Sequence, residues 1–82
     1  MNSKILVVED NEISYILINE IFIKDTVDVL WAKDAKEAFK IYKTNKNVSL
    51  IIMDIQLPTI SGYEATKIFK KYNPSIPIIA IT

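Results

Sequence analysis

The stretch Ser49-Leu-Ile-Ile-Met-Asp54 decides the fold: four consecutive apolar residues run straight into a carboxylate. Near-continuous apolar runs of this length mark parallel strands covered by helices on both faces. The pattern recurs at Lys4-Ile-Leu-Val-Val-Glu-Asp-Asn11, where the run meets Glu9 and Asp10, and at Ile78-Ile-Ala-Ile-Thr82, where it meets a hydroxyl. In an open parallel sheet the carboxyl ends of the strands form the ligand crevice, and neighbouring strands lie ~4.8 Å apart. Glu9, Asp10, Asp54 and Thr82 are therefore expected to converge on one site where a divalent cation could bridge them, with Asp54 at the centre of phosphoryl chemistry.

Working outward, Val27 to Ala32 carries Asp28 between two valines and reads as an edge strand. Pro77 can open the fourth strand but could not sit inside one, because it lacks the ladder N–H. Helix signals fill the gaps. Asn11 can cap a first helix with Ile13, Ile16, Leu17 and Ile21 at helical spacing, a stripe that Ile18, Phe22 and Ile23 widen beyond one face. Asp34 and Glu37 have capping-box spacing ahead of Ala35, Ala38, Phe39 and Tyr42, and Asn45-Lys46-Asn47 ends that helix. A third helix starts near Gly62 and stops before Asn73-Pro74. Strand–helix alternation with right-handed crossovers implies an α/β layered fold. With the two most apolar strands central, the strand order is 2-1-3-4.

Composition narrows the chemistry. Eighty-two residues make at most one small domain, and a chain this short buries only about 60 to 70% of its unfolded surface. Ten Lys balance ten Asp and Glu, so net charge points to neither nucleic acid nor an acidic membrane as partner. Arg, His and Cys are absent, which removes Arg clamps, His bases, zinc sites, nucleophilic thiols and disulfides, and fits a cytoplasmic setting. The apolar runs are too short for a membrane span, and Lys4 breaks the pattern of a signal peptide.

Three segments resemble the receiver domain of two-component signalling, the phosphoacceptor module of response regulators and hybrid sensor kinases. They are Lys4 to Asn11, Met53-Asp-Ile-Gln-Leu-Pro-Thr-Ile-Ser-Gly-Tyr-Glu-Ala-Thr66, and Ile76 to Thr82. The resemblance implies a flavodoxin-like parallel sheet and a signalling module rather than an enzyme. By it, Asp54 would accept a phosphoryl group from a histidine kinase or histidine phosphotransfer protein. Glu9, Asp10, Asp54 and the backbone carbonyl of Gln56 would hold Mg²⁺ or Mn²⁺, and Thr82 would contact the phosphoryl oxygens. Pro58 would stiffen the loop after Asp54, and Gly62 would supply a backbone conformation that other residues avoid. Ser61 stands where many relatives have Asp.

Receiver domains continue through a fourth helix, a fifth strand and a fifth helix. By the resemblance, residues 1–82 correspond to the N-terminal two-thirds, without the family's Lys and aromatic switch residue on the fifth strand. The edge at Ile78 to Ile81 and the stripe of Ile16, Leu17, Ile21, Phe22 and Ile23 would then lack neighbours, so the chain is expected to self-associate as a homodimer through the fourth strand or the first helix.

Other classes fit the same residues less well. A flavodoxin-like cofactor binder needs a Ser/Thr/Gly-rich phosphate loop after the first strand and a dinucleotide binder a G-x-G-x-x-G, where this chain has Glu9-Asp10-Asn11-Glu12. A haloacid dehalogenase-like phosphatase wants a second Asp two residues after the nucleophile, where Gln56 stands. A receiver scaffold that binds proteins without being phosphorylated is the remaining alternative. Lys67, Lys70 and Lys71 read as a solvated helix face, and Met53, Trp31, Tyr42 and Phe39 as packing.

Overall fold

Each apolar run becomes a strand. The computed structural model describes residues 3–22 and 27–81. In them the order is β1 (Lys4–Val8), α1 (Glu12–Phe22), β2 (Asp28–Ala32), α2 (Ala35–Thr44), β3 (Val48–Asp54), α3 (Gly62–Tyr72) and β4 (Ile78–Ile81). The strands form one parallel sheet in the expected order β2-β1-β3-β4. Leu6, Val7, Val8, Ile51 and Met53 are wholly buried, as residues of central strands covered on both faces must be. The β2 strand is an edge, as its polar alternation predicts, and starts one residue later than Val27. The β3 strand extends past its apolar run Leu50–Met53 by two residues at the start and one at the end, so Asp54 pairs with Ile81 inside the β3–β4 ladder. Pro77 precedes β4, where its carbonyl accepts from Ile51 N–H at 3.1 Å and its missing N–H costs no ladder bond.

Side-chain caps set the helix starts. Asn11 Oδ1 accepts from Ser14 N–H at 3.0 Å, and Asp34 Oδ1 accepts from Glu37 N–H at 2.7 Å. Glu37 Oε1 returns the contact by accepting from Lys33 N–H at 2.8 Å, one residue ahead of the Asp34 amide that a standard capping box uses. Helix α3 is capped by Ser61, whose Oγ accepts from Glu64 N–H at 3.3 Å.

The period-two alternation of the strands sorts the core into two layers. On one face Leu6, Val8, Ala32, Ile51 and Met53 pack against Ala35 and Ala38 of α2 and Ala65 and Phe69 of α3. Phe69 is the largest fully buried side chain, with Phe39 and Tyr42 edge-on to it at centroid distances of 5.4 Å each. On the other face Ile5, Val7 and Ile52 pack against Tyr15 and Ile18 of α1.

Helix α1 leaves the stripe read from its spacing uncovered. The stripe at helical spacing is the one that points away from the sheet: Ile13 is 71% exposed, Leu17 63% and Ile21 70%, with Ile16 also exposed. The inward side is set by Tyr15, whose ring lies flat on Trp31 of β2, 4.2 Å between centroids and 4° between planes. That stack rolls the helix so that Tyr15 and Ile18 face the core. Ile23 lies outside the described residues.

Candidate metal centre

Strand β1 runs out at Val8, and the next two residues carry the first carboxylates. Glu9 is still tied to the sheet edge: its N–H donates to Ala32 O at 2.9 Å, and its carbonyl accepts from the Trp31 indole Nε1–H at 2.7 Å. Its side chain turns inward and is buried, with Oε2 accepting from Asn11 N–H at 3.1 Å. Asp10, one residue on, is exposed. Asp54 closes β3 next door and is buried, its Oδ1 accepting from Gln56 N–H at 3.0 Å. One carboxylate oxygen from each of Glu9, Asp10 and Asp54 lies within 4.8 Å of the others.

Burial pushes the Glu9 carboxyl up from 4.5 to about 7. The Asn11 N–H opposes it, while Asp54, through a shared hydrogen bond and its charge, and Asp10 push the same way as burial. Three carboxylates this close also repel one another and take up protons unless a cation compensates their charge. Hard oxygen donors converging this closely fit Mg²⁺ or Mn²⁺.

The loop after Asp54 is held by short backbone bonds. Ile55 N–H donates to Ile81 O at 3.0 Å, and Gly62 N–H donates to Ile55 O at 3.0 Å, drawing the start of α3 against the end of β3. Gly62 has no positive φ, so its expected conformational role is corrected. A glycine is required there because a Cβ would meet Asp54 O at 2.2 Å and Ile55 Cα at 2.5 Å. The left-handed residue in this loop is Thr59, with φ 73°.

The structure brings Glu9, Asp10 and Asp54 together as expected and sets Gln56 beside Asp54 through its amide. Thr82 lies outside the described residues. Two contributors were not read from the sequence. Ser61 caps α3, and the Ser61-x-x-Glu64 spacing is the local signal for it. Trp31, whose sequence reading is packing, also bonds the Glu9 backbone, and no local pattern announces a contact between residues 22 positions apart.

Comparison with known proteins agrees with this architecture. The family model described as response regulator receiver domain matches residues 5–82. The chain is 41% identical over 87 residues to Hybrid signal transduction histidine kinase I of Dictyostelium discoideum, covering 96% of this chain and 5% of that protein. It superposes on the response regulator protein TrrA from Thermotoga maritima, solved in complex with Mg²⁺-BeF, with a TM-score of 0.88 at 31% identity, over 95% of this chain and 67% of that one. The match to TrrA in its complex with the histidine kinase ThkA has the same TM-score and identity, over 98% and 68%. The chain thus spans about two-thirds of the TrrA chain and a small fraction of the hybrid kinase. No helix among the described residues is long and apolar enough to cross a membrane. With the match running from the first strand through the acidic crevice to the end of the sheet, the chain belongs to the response regulator receiver domain family of two-component systems.

Proposed function

We propose that this chain is a phosphoacceptor in a His-to-Asp relay, with Asp54 receiving the phosphoryl group from a phosphohistidine on a histidine kinase or histidine phosphotransfer protein. The observation that carries this reading is the convergence of the Glu9, Asp10 and Asp54 carboxylates within 4.8 Å at the ends of β1 and β3. TrrA, similar in fold and sequence, is described in complexes with Mg²⁺-BeF and with a histidine kinase, which supports the same cofactor and partner class here.

In the transfer an Asp54 carboxylate oxygen attacks phosphorus, an O–P bond forms, the N–P bond to the donor imidazole breaks, and the imidazole leaves with a proton from solvent. The Gln56 amide on Oδ1 orients the Asp54 carboxylate. Glu9, Asp10 and Asp54 would hold the divalent cation together with the Gln56 carbonyl, and Thr82 would hydrogen-bond the phosphoryl oxygens. A bound Mg²⁺ or Mn²⁺ supplies positive charge against the carboxylates and the phosphoryl oxygens. As a ligand Glu9 would bind in its ionised form.

The test is intact mass after incubation with a small phosphodonor, with and without Mg²⁺. One phosphoryl gain that needs Mg²⁺ and disappears in Asp54→Asn is expected. An Asp54→Asn chain that still gains a phosphoryl group would overturn the assignment, and a wild-type chain that gains none while binding partner proteins would favour the interaction-only module.

A further inference from the structure

We propose that Trp31 is a positioning residue for the acidic pocket, holding the turn that carries Glu9 and Asp10 through the hydrogen bond from its indole Nε1–H to the Glu9 carbonyl. The inference rests on reading that pocket as a divalent-cation site.

Glu9 lies beyond the last β1–β2 pair, Val8 with Ala32, where a backbone would ordinarily begin to drift. Two bonds from the end of β2 hold it instead: Ala32 O takes its N–H at 2.9 Å and the indole N–H takes its carbonyl at 2.7 Å. The indole is itself fixed. Tyr15 stacks flat on it at 4.2 Å, and Lys33 Nζ lies 5.1 Å from the ring centroid, so the ring cannot swing its N–H away without losing aromatic contact and a cation–π contact.

Tyr15 belongs to α1, which begins at Glu12, and Trp31 to β2. The acidic turn therefore runs between two elements that one aromatic pair joins, gripped at Glu9 by the indole and just beyond Asp10 by the helix that Tyr15 anchors. Three carboxylates this close repel one another and favour opening of the turn. A neutral donor on the backbone resists that opening without adding charge to the pocket or occupying a ligand oxygen. Outer partners that orient metal ligands in this way influence affinity strongly.

The experiment measures Mg²⁺ binding by isothermal titration calorimetry on the full chain, alongside thermal unfolding without Mg²⁺. Trp31→Phe keeps an aromatic ring against Tyr15 but loses the donor together with the second fused ring. It should bind Mg²⁺ roughly tenfold more weakly while remaining folded, whereas Lys67→Ala, on the exposed face of α3, should leave the affinity unchanged. A role in packing alone would lower the melting temperature of Trp31→Phe and leave Mg²⁺ affinity intact, and that result overturns the proposal. If wild type binds no Mg²⁺, the metal reading fails together with this inference. A wild-type chain that binds normally beside an unaffected Trp31→Phe isolates failure of the inference alone. Should Trp31→Phe not fold, the unsubstituted chain still decides the matter, because its one Trp gives a single indole N–H resonance. That resonance should move on Mg²⁺ addition with the same midpoint as the Glu9 and Asp10 amides. An indole signal that stays put while those amides move refutes the coupling.

Discussion

Gly62 lies so close to Asp54 that a Cβ on it would come within 2.2 Å of the Asp54 carbonyl oxygen. The start of α3 is thereby seated against the backbone of the candidate phosphoacceptor. Backbone atoms cannot rotate away as a flexible side chain can, so relief of a new methyl group must displace the Asp54–Ile55 segment. Gly62→Ala is expected to destabilise the fold by about 1–3 kcal/mol or somewhat more and to weaken Mg²⁺ binding, read by urea unfolding and by metal titration. Unchanged stability would mean that the approach is looser than 2.2 Å implies.

Glu9 makes the metal-free protein pH-sensitive. Its folded value of about 7 lies above the ordinary 4.5, so its contribution is fully present below 4.5 and is lost as pH rises through about 7. Metal-free melting temperature should fall across that window, and Glu9→Gln should flatten the fall. Mg²⁺ requires the ionised carboxylate, so binding should strengthen with rising pH up to about 7 and release protons, which calorimetry in buffers of different ionisation enthalpy measures.

The Asp34 cap starts α2 beside the same end of the sheet. Asp34→Ala removes the acceptor for Glu37 N–H at 2.7 Å and should cost about 1 kcal/mol. Ser61→Ala, with the longer 3.3 Å bond to Glu64 N–H, should cost no more than that. Chemical denaturation of both variants checks the ranking.

Phe69 is 1% exposed at the junction of α2, α3 and the sheet. Phe69→Ala should destabilise by roughly 3–5 kcal/mol, most of the stability of a domain this small, and the loss of cooperative thermal unfolding would report it.

The exposed α1 stripe of Ile13, Leu17 and Ile21 predicts concentration-dependent self-association of the 82-residue chain. Light scattering should show species larger than a monomer, and Leu17→Glu should shift them toward monomer. A monodisperse wild-type monomer at high micromolar concentration would remove α1 as an association surface.

The strand set, its order and the meeting of Glu9, Asp10 and Asp54 were legible in the amino-acid sequence. Apolar runs ending in carboxylates are local patterns, and right-handed crossovers leave few orders in which two such strands can be neighbours. The caps at Asn11 and Asp34 were legible for the same reason, since donor and acceptor lie three residues apart. Tertiary structure alone decided which way α1 faces. A helix apolar on more than one side carries no preferred face in its periodicity, and the Tyr15–Trp31 stack chose it. It also decided that Glu9 is buried while Asp10 faces solvent, that Gly62 answers a contact instead of a φ angle, and that an indole from β2 holds the acidic turn. Each depends on groups distant in sequence that meet only when helices and loops dock against the finished sheet.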